Sequence, residues 1–473
     1  MKILCFSINP IFPEAVSGGA SKHLMNITRH LASKGHLVRI ICPEIPKQNN
    51  RFYLNDKLEI WPVLPFHQPF PEPYAVAPLS LAWIVEEVNR HLAWADRFYI
   101  HDGELLLPHL HTKVPTILSF RDNYYPESIL STFINQGDEV ICVSPYSANI
   151  VKASAGRVLE GFEERIHMVL NGIDAKIFRP IPKAKNKLLS RLPFDASQHQ
   201  ILLHPHRPDP KKGLGEAVEV LKYLISQKGM KSLKLVAPRW HESMSGSFED
   251  AFFKSVEKYI QENSLSENIH FIDWLTQAEM PSFYSLGATT LCLGNIPEAF
   301  GNVAYESLAC GTPSLVSRAG VHRSLLPDKL ISKVDYGDVP SAAESVFSIL
   351  QTKKRVPDAD RRQIVSYFDL GTQLEAYEAI ITCAAKRPPV QGRFCPVSVE
   401  NSEFRLAPWC YRTDKAIYHD YLGKFLIEQD FAGIDQLLCA MNSAGSVEGS
   451  LLSERQLSEF YKQGILIPVT GKN

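Results

Sequence analysis

Short apolar runs alternate with amphipathic stretches along most of this chain. KILCFSI reads as a strand, SGGA as a glycine turn and SKHLMNITRHLASKG as a helix that Gly35 ends. Leu24, Ile27 and Leu31 recur at helical spacing, which gives that helix one buried stripe. HLVRIIC, RFYIH, TILSF and EVICVS continue as strands. A second series, QILLHP, LKLVAP, NIHFID, TTLCLG and PSLVS, follows MVLNGIDAKIFRPIP, whose Asn-Gly turn and Pro180 and Pro182 mark a linker. Strands alternating with helices in this way predict an α/β fold of two parallel, doubly wound sheets.

A helix at DLGTQLEAYEAIITCAAK closes the second series, and RPPVQGRFCPVSVENSEFRLAPW breaks the pattern with prolines and polar residues. Beyond it, GIDQLLCAMNSAG predicts a short helix. Ser453-Glu454-Arg455-Gln456 is a capping box opening a second, and ILIPV after Gly464 reads as a strand. Helix, helix, strand suggests a small winged-helix-like module. The expected division is residues 1–178, 179–387 and 388–473.

At 473 residues the chain exceeds one ordinary domain. A net charge of −1 gives no global field for nucleic acid or an anionic membrane. No run reaches the roughly 18 apolar residues of a spanning helix, so no transmembrane segment is expected. Nine cysteines, among them Cys5, Cys42, Cys142 and Cys292 within apolar runs, read as reduced, buried thiols of a cytoplasmic protein.

Two segments carry chemistry. In PEAFGNVAYESLACGTP, Gly301 lets the chain turn into a helix running to about Cys310. The N–H groups near Phe300, Gly301, Asn302 and Val303 would face an anion, aided by the helix dipole. Glu298 precedes that helix and Glu306 lies on it. Eight helical residues rise about 12 Å, whereas hydrolytic carboxylate pairs stand roughly 5 to 9.5 Å apart. Separate tasks follow, Glu298 at a sugar and Glu306 on a ribose diol, set against two merely solvated glutamates. In HRPDPKKGLGEAVE, Arg207 and Lys212 follow a strand and precede a helix, an arrangement suited to a diphosphate. A cation about 4 Å from a phosphate charge contributes roughly 4 kcal/mol at an effective dielectric near 20, before desolvation.

Gly18 and Gly19 open the first helix and allow close backbone approach to a phosphate or sugar. His101 ends a later strand, where ligands of open α/β sheets bind. Three patterns read as decoys: Asp358-Ala359-Asp360 as a solvated loop, and His109/His111 and His204/His206, which lack a convincing ligand set for a metal.

In this order, SGGASKHLMNITRHLASKGHLVRIIC, EVICVSPYSANIV, VLNGIDAKIFRP, HRPDPKKGLGEAVE and PEAFGNVAYESLACGTPSLVS resemble the retaining glycosyltransferases of family four, which have the GT-B fold of two facing Rossmann-like domains. The resemblance covers roughly residues 1 to 385. It implies a nucleotide-diphosphate sugar as donor substrate, with no metal and no further cofactor. It assigns Arg207 and Lys212 to the diphosphate, Glu298 and the backbone of Phe300 to Val303 to sugar and phosphate, and Glu306 to the ribose. The Gly18-Gly19 loop would close over the phosphates and His101 would approach the sugar, so Glu298, His101, Arg207 and Lys212 form the expected catalytic set. The reaction implied moves a sugar, with retention, onto an acceptor hydroxyl of a glycan, small molecule or peptide. A GT-B-fold nucleotide-sugar epimerase and a non-catalytic sugar-nucleotide-binding scaffold are the alternatives.

Two departures stand out: Gly294-Asn295-Ile296-Pro297 replaces the frequent Pro-Ser before the first glutamate, and Arg318-Ala319-Gly320-Val321-His322-Arg323 replaces Gly-Gly-x-x-Glu. The C-terminal module lies outside the family core. It faintly resembles peptide-chaperone-like domains, which implies a peptide or protein partner, self-association or acceptor docking.

Overall fold

The structure is a computed structural model that describes residues 1–12, 18–44, 50–68, 72–207, 209–239, 247–393 and 403–469. Part of the proline-rich break expected after residue 387 therefore lies outside the described residues.

The first lobe is built on an eight-stranded sheet: β1 (Lys2–Phe6), β2 (Leu37–Pro43), β3 (Phe52–Asn55), β4 (Leu58–Leu64), β5 (Arg97–Ile100), β6 (Thr116–Phe120), β7 (Glu139–Cys142) and β8 (Ile166–Met168). Their spatial order is β3-β4-β2-β1-β5-β6-β7-β8, parallel except for the β3–β4 pair. Helices cover both faces, so β1, β6 and β7 are almost wholly buried and read as continuous apolar runs. The edge strand β3 alternates half-buried and exposed residues, which is why no apolar run marked it.

The second lobe is a six-stranded sheet of β9 (Ile201–Leu203), β10 (Lys234–Pro238), β11 (Ile269–Ile272), β12 (Thr289–Cys292), β13 (Ser314–Ser317) and β14 (Ser332–Val334). It is all-parallel, in the order β11-β10-β9-β12-β13-β14. In each sheet the chain order reverses once near the middle, between β1 and β5 and between β9 and β12. A crevice opens beyond the carboxyl ends of the strands at such a reversal, and open α/β sheets bind their ligands there. His101 follows β5, Arg207 and Lys212 follow β9, and Glu298 follows β12.

The lobes share buried surface. Val143, Tyr146 and Ile150 of the first pack in one apolar cluster with Tyr284, Phe300 and Tyr305 of the second. Helix Leu370–Cys383 then crosses back to the first lobe. Its Tyr377 and Ile381 are buried with Ile3, Cys5, Ile40 and Tyr99, and the Tyr377 hydroxyl accepts a hydrogen bond from Arg121 at 3.0 Å.

The C-terminal unit contains β15 (Glu403–Leu406), β16 (Cys410–Arg412), β17 (Ile417–His419), β18 (Lys424–Leu426), β19 (Ser446–Glu448) and β20 (Leu466–Pro468). One antiparallel sheet runs β19-β15-β20 and packs with helices Ile434–Ala440 and Glu454–Lys462 around Phe404, Leu437 and Phe460. The capping box at Ser453 and Gln456 is present. The β16-β17-β18 meander is an addition that the helix-helix-strand pattern did not contain.

Six cysteines, Cys5, Cys42, Cys142, Cys292, Cys310 and Cys410, are buried as free thiols, while Cys383 and Cys439 are exposed. Among the described residues, no helix is long and apolar enough to cross a membrane.

Burial holds the imidazoles of His91, His111, His204 and His322 down at about 4. They stay neutral in the fold, whereas an unfolded chain protonates them below about 6.5. The unfolded state therefore binds more protons as pH falls from about 6.5 toward 4, and stability drops over that window. The urea midpoint is expected to be clearly lower at pH 5 than at pH 7.5. Equal midpoints would contradict neutral burial.

Candidate active site

The β9 and β12 loops meet backbone to backbone. Lys211 O accepts hydrogen bonds from Asn295 N at 3.0 Å and Ile296 N at 3.3 Å. Gly213 has φ +88°, and a Cβ there would collide with the backbone of Leu293 and Gly294, while one on Gly294 would run into Lys211 and Lys212. Only two glycines permit this approach. It places the Lys212 ammonium 2.5 Å from the Glu298 carboxylate. Burial pushes the Glu298 carboxyl up, but the charge and hydrogen bond of Lys212, with smaller contributions from His322 and Arg207, together outweigh this and hold it below its ordinary value.

Arg207 donates to the hydroxyl of Tyr125, from the first lobe, and to Asp209 at 3.3 Å. Lys211 lies over the Tyr124 ring at 4.6 Å. The loop after β6, which carries Asp122, Tyr124 and Tyr125, thus faces the cations across the gap between lobes. Asp122 is turned inward, its Oδ1 accepting from Tyr124 N at 2.6 Å and Tyr125 N at 2.9 Å.

The acidic motif folds as its glycine requires. Gly301 is left-handed at φ +76°, and helix Asn302–Ala309 starts behind it. A side chain at Gly301 would overlap the His322 imidazole. Phe300 anchors the turn in the core, edge-on to Tyr305 and Phe368 with ring centroids 5.3 Å apart. Val303 is half-buried against the same cluster. The first N–H groups of such a helix have no carbonyl partner within it. Gly19 lies close by, since a Cβ there would stand 3.3 Å from Asn302 Nδ2. Gly18, at φ +84°, begins helix Gly18–Ser33, so the glycine turn sits against the N-terminus of helix Asn302–Ala309.

Glu306 is buried, takes an ion pair from Lys22 and accepts from the Tyr284 hydroxyl at 3.0 Å. Asn302 also joins the lobes, with His23 at 3.4 Å and Asn171 at 3.3 Å. Lys22 and Tyr284 have no assigned role in the sequence patterns, whereas Asn171 belongs to the Asn-Gly turn and Tyr125 to the aromatic FRDNYYPES loop. Of the first two, Lys22, three residues past the glycine pair, is the one with a local signal.

His101 sits deeper than expected. It is 1% exposed, donates through Nε2 to Ala20 O at 3.0 Å and accepts at Nδ1 from Tyr99 at 2.8 Å. Burial, then the charge of Arg121, lowers its pKa well below the ordinary value, so the ring is neutral. Both nitrogens are committed, and the imidazole braces the glycine turn from beneath.

Asp358 and Asp360 are not in a loop as expected: they occupy the first turn of helix Asp358–Tyr367, where carboxylates complement the dipole, and Asp358 pairs with Arg361 at 3.4 Å. His111 bonds Leu105 O at 3.0 Å, and the rings of His204 and His206 lie 5.3 Å apart. No cluster of three potential metal ligands occurs among the described residues.

The Glycosyltransferase Family 4 model matches residues 17–177, and the Glycosyl transferases group 1 model matches residues 193–361. The chain is 23% identical over 245 residues to the MMP alpha-(1->4)-mannosyltransferase of Mycolicibacterium hassiacum, covering 50% of this chain and 53% of that protein. Over 158 residues it is 29% identical to the D-inositol 3-phosphate glycosyltransferase of Acidothermus cellulolyticus, 33% of this chain and 34% of that one. The chain thus spans about half the length, or less, of these curated relatives. In fold it is similar to sucrose-phosphate synthase from Thermosynechococcus elongatus, with a TM-score of 0.67 and 18% identity over 80% of this chain and 98% of that one. It is also similar to Anabaena HepE solved with UDP and glucose, at a TM-score of 0.62 and 18% identity over 81% and 99%.

Replacing Gly294 by alanine is expected to cost about 1–3 kcal/mol, the usual cost of forcing extra volume into a packed site. Gly215, helical and with open space at its Cβ, is the control, where alanine should be neutral or gain up to about 1 kcal/mol. Urea unfolding of the two variants compares them, and equal stabilities would refute the packing argument.

Proposed function

Because the chain belongs to the family-four glycosyltransferases and folds as their two facing Rossmann-like lobes, we propose that it moves a sugar from a nucleotide-diphosphate donor to an acceptor hydroxyl with retained anomeric configuration. The observation that carries this reading is the Lys212–Glu298 pair, held by the Gly213–Gly294 contact at the chain reversal of the second sheet. The placement supports a diphosphate lying between Arg207, Lys212 and the first turn of helix Asn302–Ala309. Its negative charge would draw the ammonium and free Glu298 to accept hydrogen bonds from sugar hydroxyls. Glu306, fixed by Lys22 and Tyr284, would take the ribose diol.

On this reading the leaving diphosphate is stabilised by groups already in place, so little reorganisation accompanies bond cleavage. Its departing oxygen would accept the proton of the acceptor hydroxyl, and no nucleophilic side chain is needed. Arg207 and Lys212 meet the charge a metal would otherwise meet, which favours metal-independent turnover. His101 would act from beneath, keeping the Gly18-Gly19 turn against Asn302 rather than touching sugar. The acceptor side falls to the loop with Asp122, Tyr124 and Tyr125. The known complex of HepE with UDP and glucose makes UDP-sugars the first donors to screen.

Lys212→Ala is expected to weaken nucleoside-diphosphate binding and to lower turnover together, since its charge acts on ground and transition states alike. Two phosphate-facing cations at about 1.4 kcal/mol per tenfold make a tenfold or larger loss in affinity the expected outcome, read by calorimetric titration with UDP and GDP. Unchanged affinity for whichever diphosphate the wild type binds would refute the assignment. Product anomeric configuration by NMR tests retention, and an inverted linkage would overturn it.

A further inference from the structure

The turn between β17 and β18, Asp420 to Gly423, reaches from the C-terminal unit to the back of the candidate site. Asp420 has a side chain with no exposure and accepts hydrogen bonds from both other units. Arg323 donates to its two oxygens at 2.7 and 2.8 Å, Gly320 N donates to Oδ1 at 3.2 Å, and the Tyr146 hydroxyl donates to Oδ2 at 2.5 Å. Burial and then the Asp420 charge keep the Tyr146 phenol well above its ordinary value, so it stays a donor. Tyr146 belongs to the first lobe, while Gly320 and Arg323 belong to the second.

What Asp420 grips is the segment behind Glu298. Val321 N donates to Glu298 O at 3.2 Å, and a Cβ on Gly320 would stand 2.7 Å from Glu298 N. Gly423, in the same turn, lies against the Asn295 side chain of the loop that leads to Glu298. Ser144, two residues before Tyr146, donates to Ala299 O at 2.6 Å. Arg323 is fixed further by Pro408 O at 3.2 Å and Cys410 O at 3.1 Å. These contacts give a role to the unusual Gly320-to-Arg323 run, whose arginine is matched to a carboxylate outside the two-lobe core.

We propose that Asp420 is a positioning residue of the active site: through Arg323, Gly320 and Tyr146 it locks the loop bearing Glu298 relative to both lobes, making the C-terminal unit an obligatory part of the catalytic apparatus. The proposal rests on the donor-site reading above. Arg207 and Lys212 stand on the β9 loop and touch none of Asp420's own partners. Lys212 meets this segment through Glu298 and the Lys211 O bonds to Asn295 and Ile296, so loosening Asp420 acts first on Glu298 geometry and only through it on the diphosphate grip. An uncompensated buried partner makes removal of either half of such a pair costly, and residues acting as one unit are non-additive.

The test uses full-length Asp420→Asn, Arg323→Ala and the double variant, with Arg323→Lys as the conservative form. Asparagine turns an acceptor oxygen into a donor facing other donors, while nearly keeping the shape. Each of the first two is expected to lower kcat tenfold or more, with UDP or GDP affinity within twofold of wild type. The double variant is expected to be no worse than the weaker single, with partial rescue in Arg323→Lys. Hydrogen exchange across residues 294–301 should rise in Asp420→Asn. Near-wild-type kcat, additive losses, or affinity falling in step with kcat would overturn the proposal. Exchange needs no turnover: a wild type that bound no nucleoside diphosphate would sink the donor reading, while unchanged exchange at 294–301 would sink this one.

Discussion

The candidate site depends on one close backbone contact, that of the loops leaving β9 and β12 at Gly213 and Gly294. Without a Cβ on either residue, Lys211 O can receive the N–H groups of Asn295 and Ile296. Lys212 is then carried to one side of the junction and Glu298 to the other, within ion-pairing distance. The glycine turn of the first lobe, the start of helix Asn302–Ala309 and the His322 ring are arranged around that pair. A lysine and a glutamate brought together elsewhere on the surface would be screened and worth little. Here both side chains are half-buried at the gap between the lobes, where water screens them less.

Buried polar groups at the gap are mostly held by partners from the opposite lobe. Lys22 with Glu306, Arg207 with Tyr125, Ser144 with Ala299 O and Asn302 with Asn171 all cross it. Each bond helps to set the distance between the two chain reversals around which the candidate site is built. Helix Leu370–Cys383 adds a covalent return path, its Tyr377 buried in the first lobe beneath Arg121. The third unit adds Asp420, so three packed units converge behind Glu298.

Reading the sequence located much of this. The periodic runs gave most strands of both sheets; β3, β8 and β14 are missed because they are short or border solvent, and the seven-residue β4 because Glu59 and Pro62 interrupt its apolar run. Gly301 marked the helix start correctly, since a left-handed residue there has a purely local cause. The Asp358–Asp360 stretch misled because a polar helix with little apolar periodicity resembles a loop, and only Ile364 of that helix is buried. His101 was legible as a strand-end residue but not as a brace, because both of its partners, Tyr99 hydroxyl and Ala20 O, are chosen by packing.

What the sequence by itself determined is therefore everything governed by neighbours along the chain: element type and order, glycine turns, the capping box at Ser453 and the order of the charged motifs. Tertiary structure decided which charges meet. Lys212 and Glu298 are separated by 86 positions, Lys22 and Glu306 by 284, and Tyr146 and Asp420 by 274. Side-chain periods and turn preferences act over a few residues, whereas these pairings arise only when separate sheets pack and exclude water, so no local pattern encodes them.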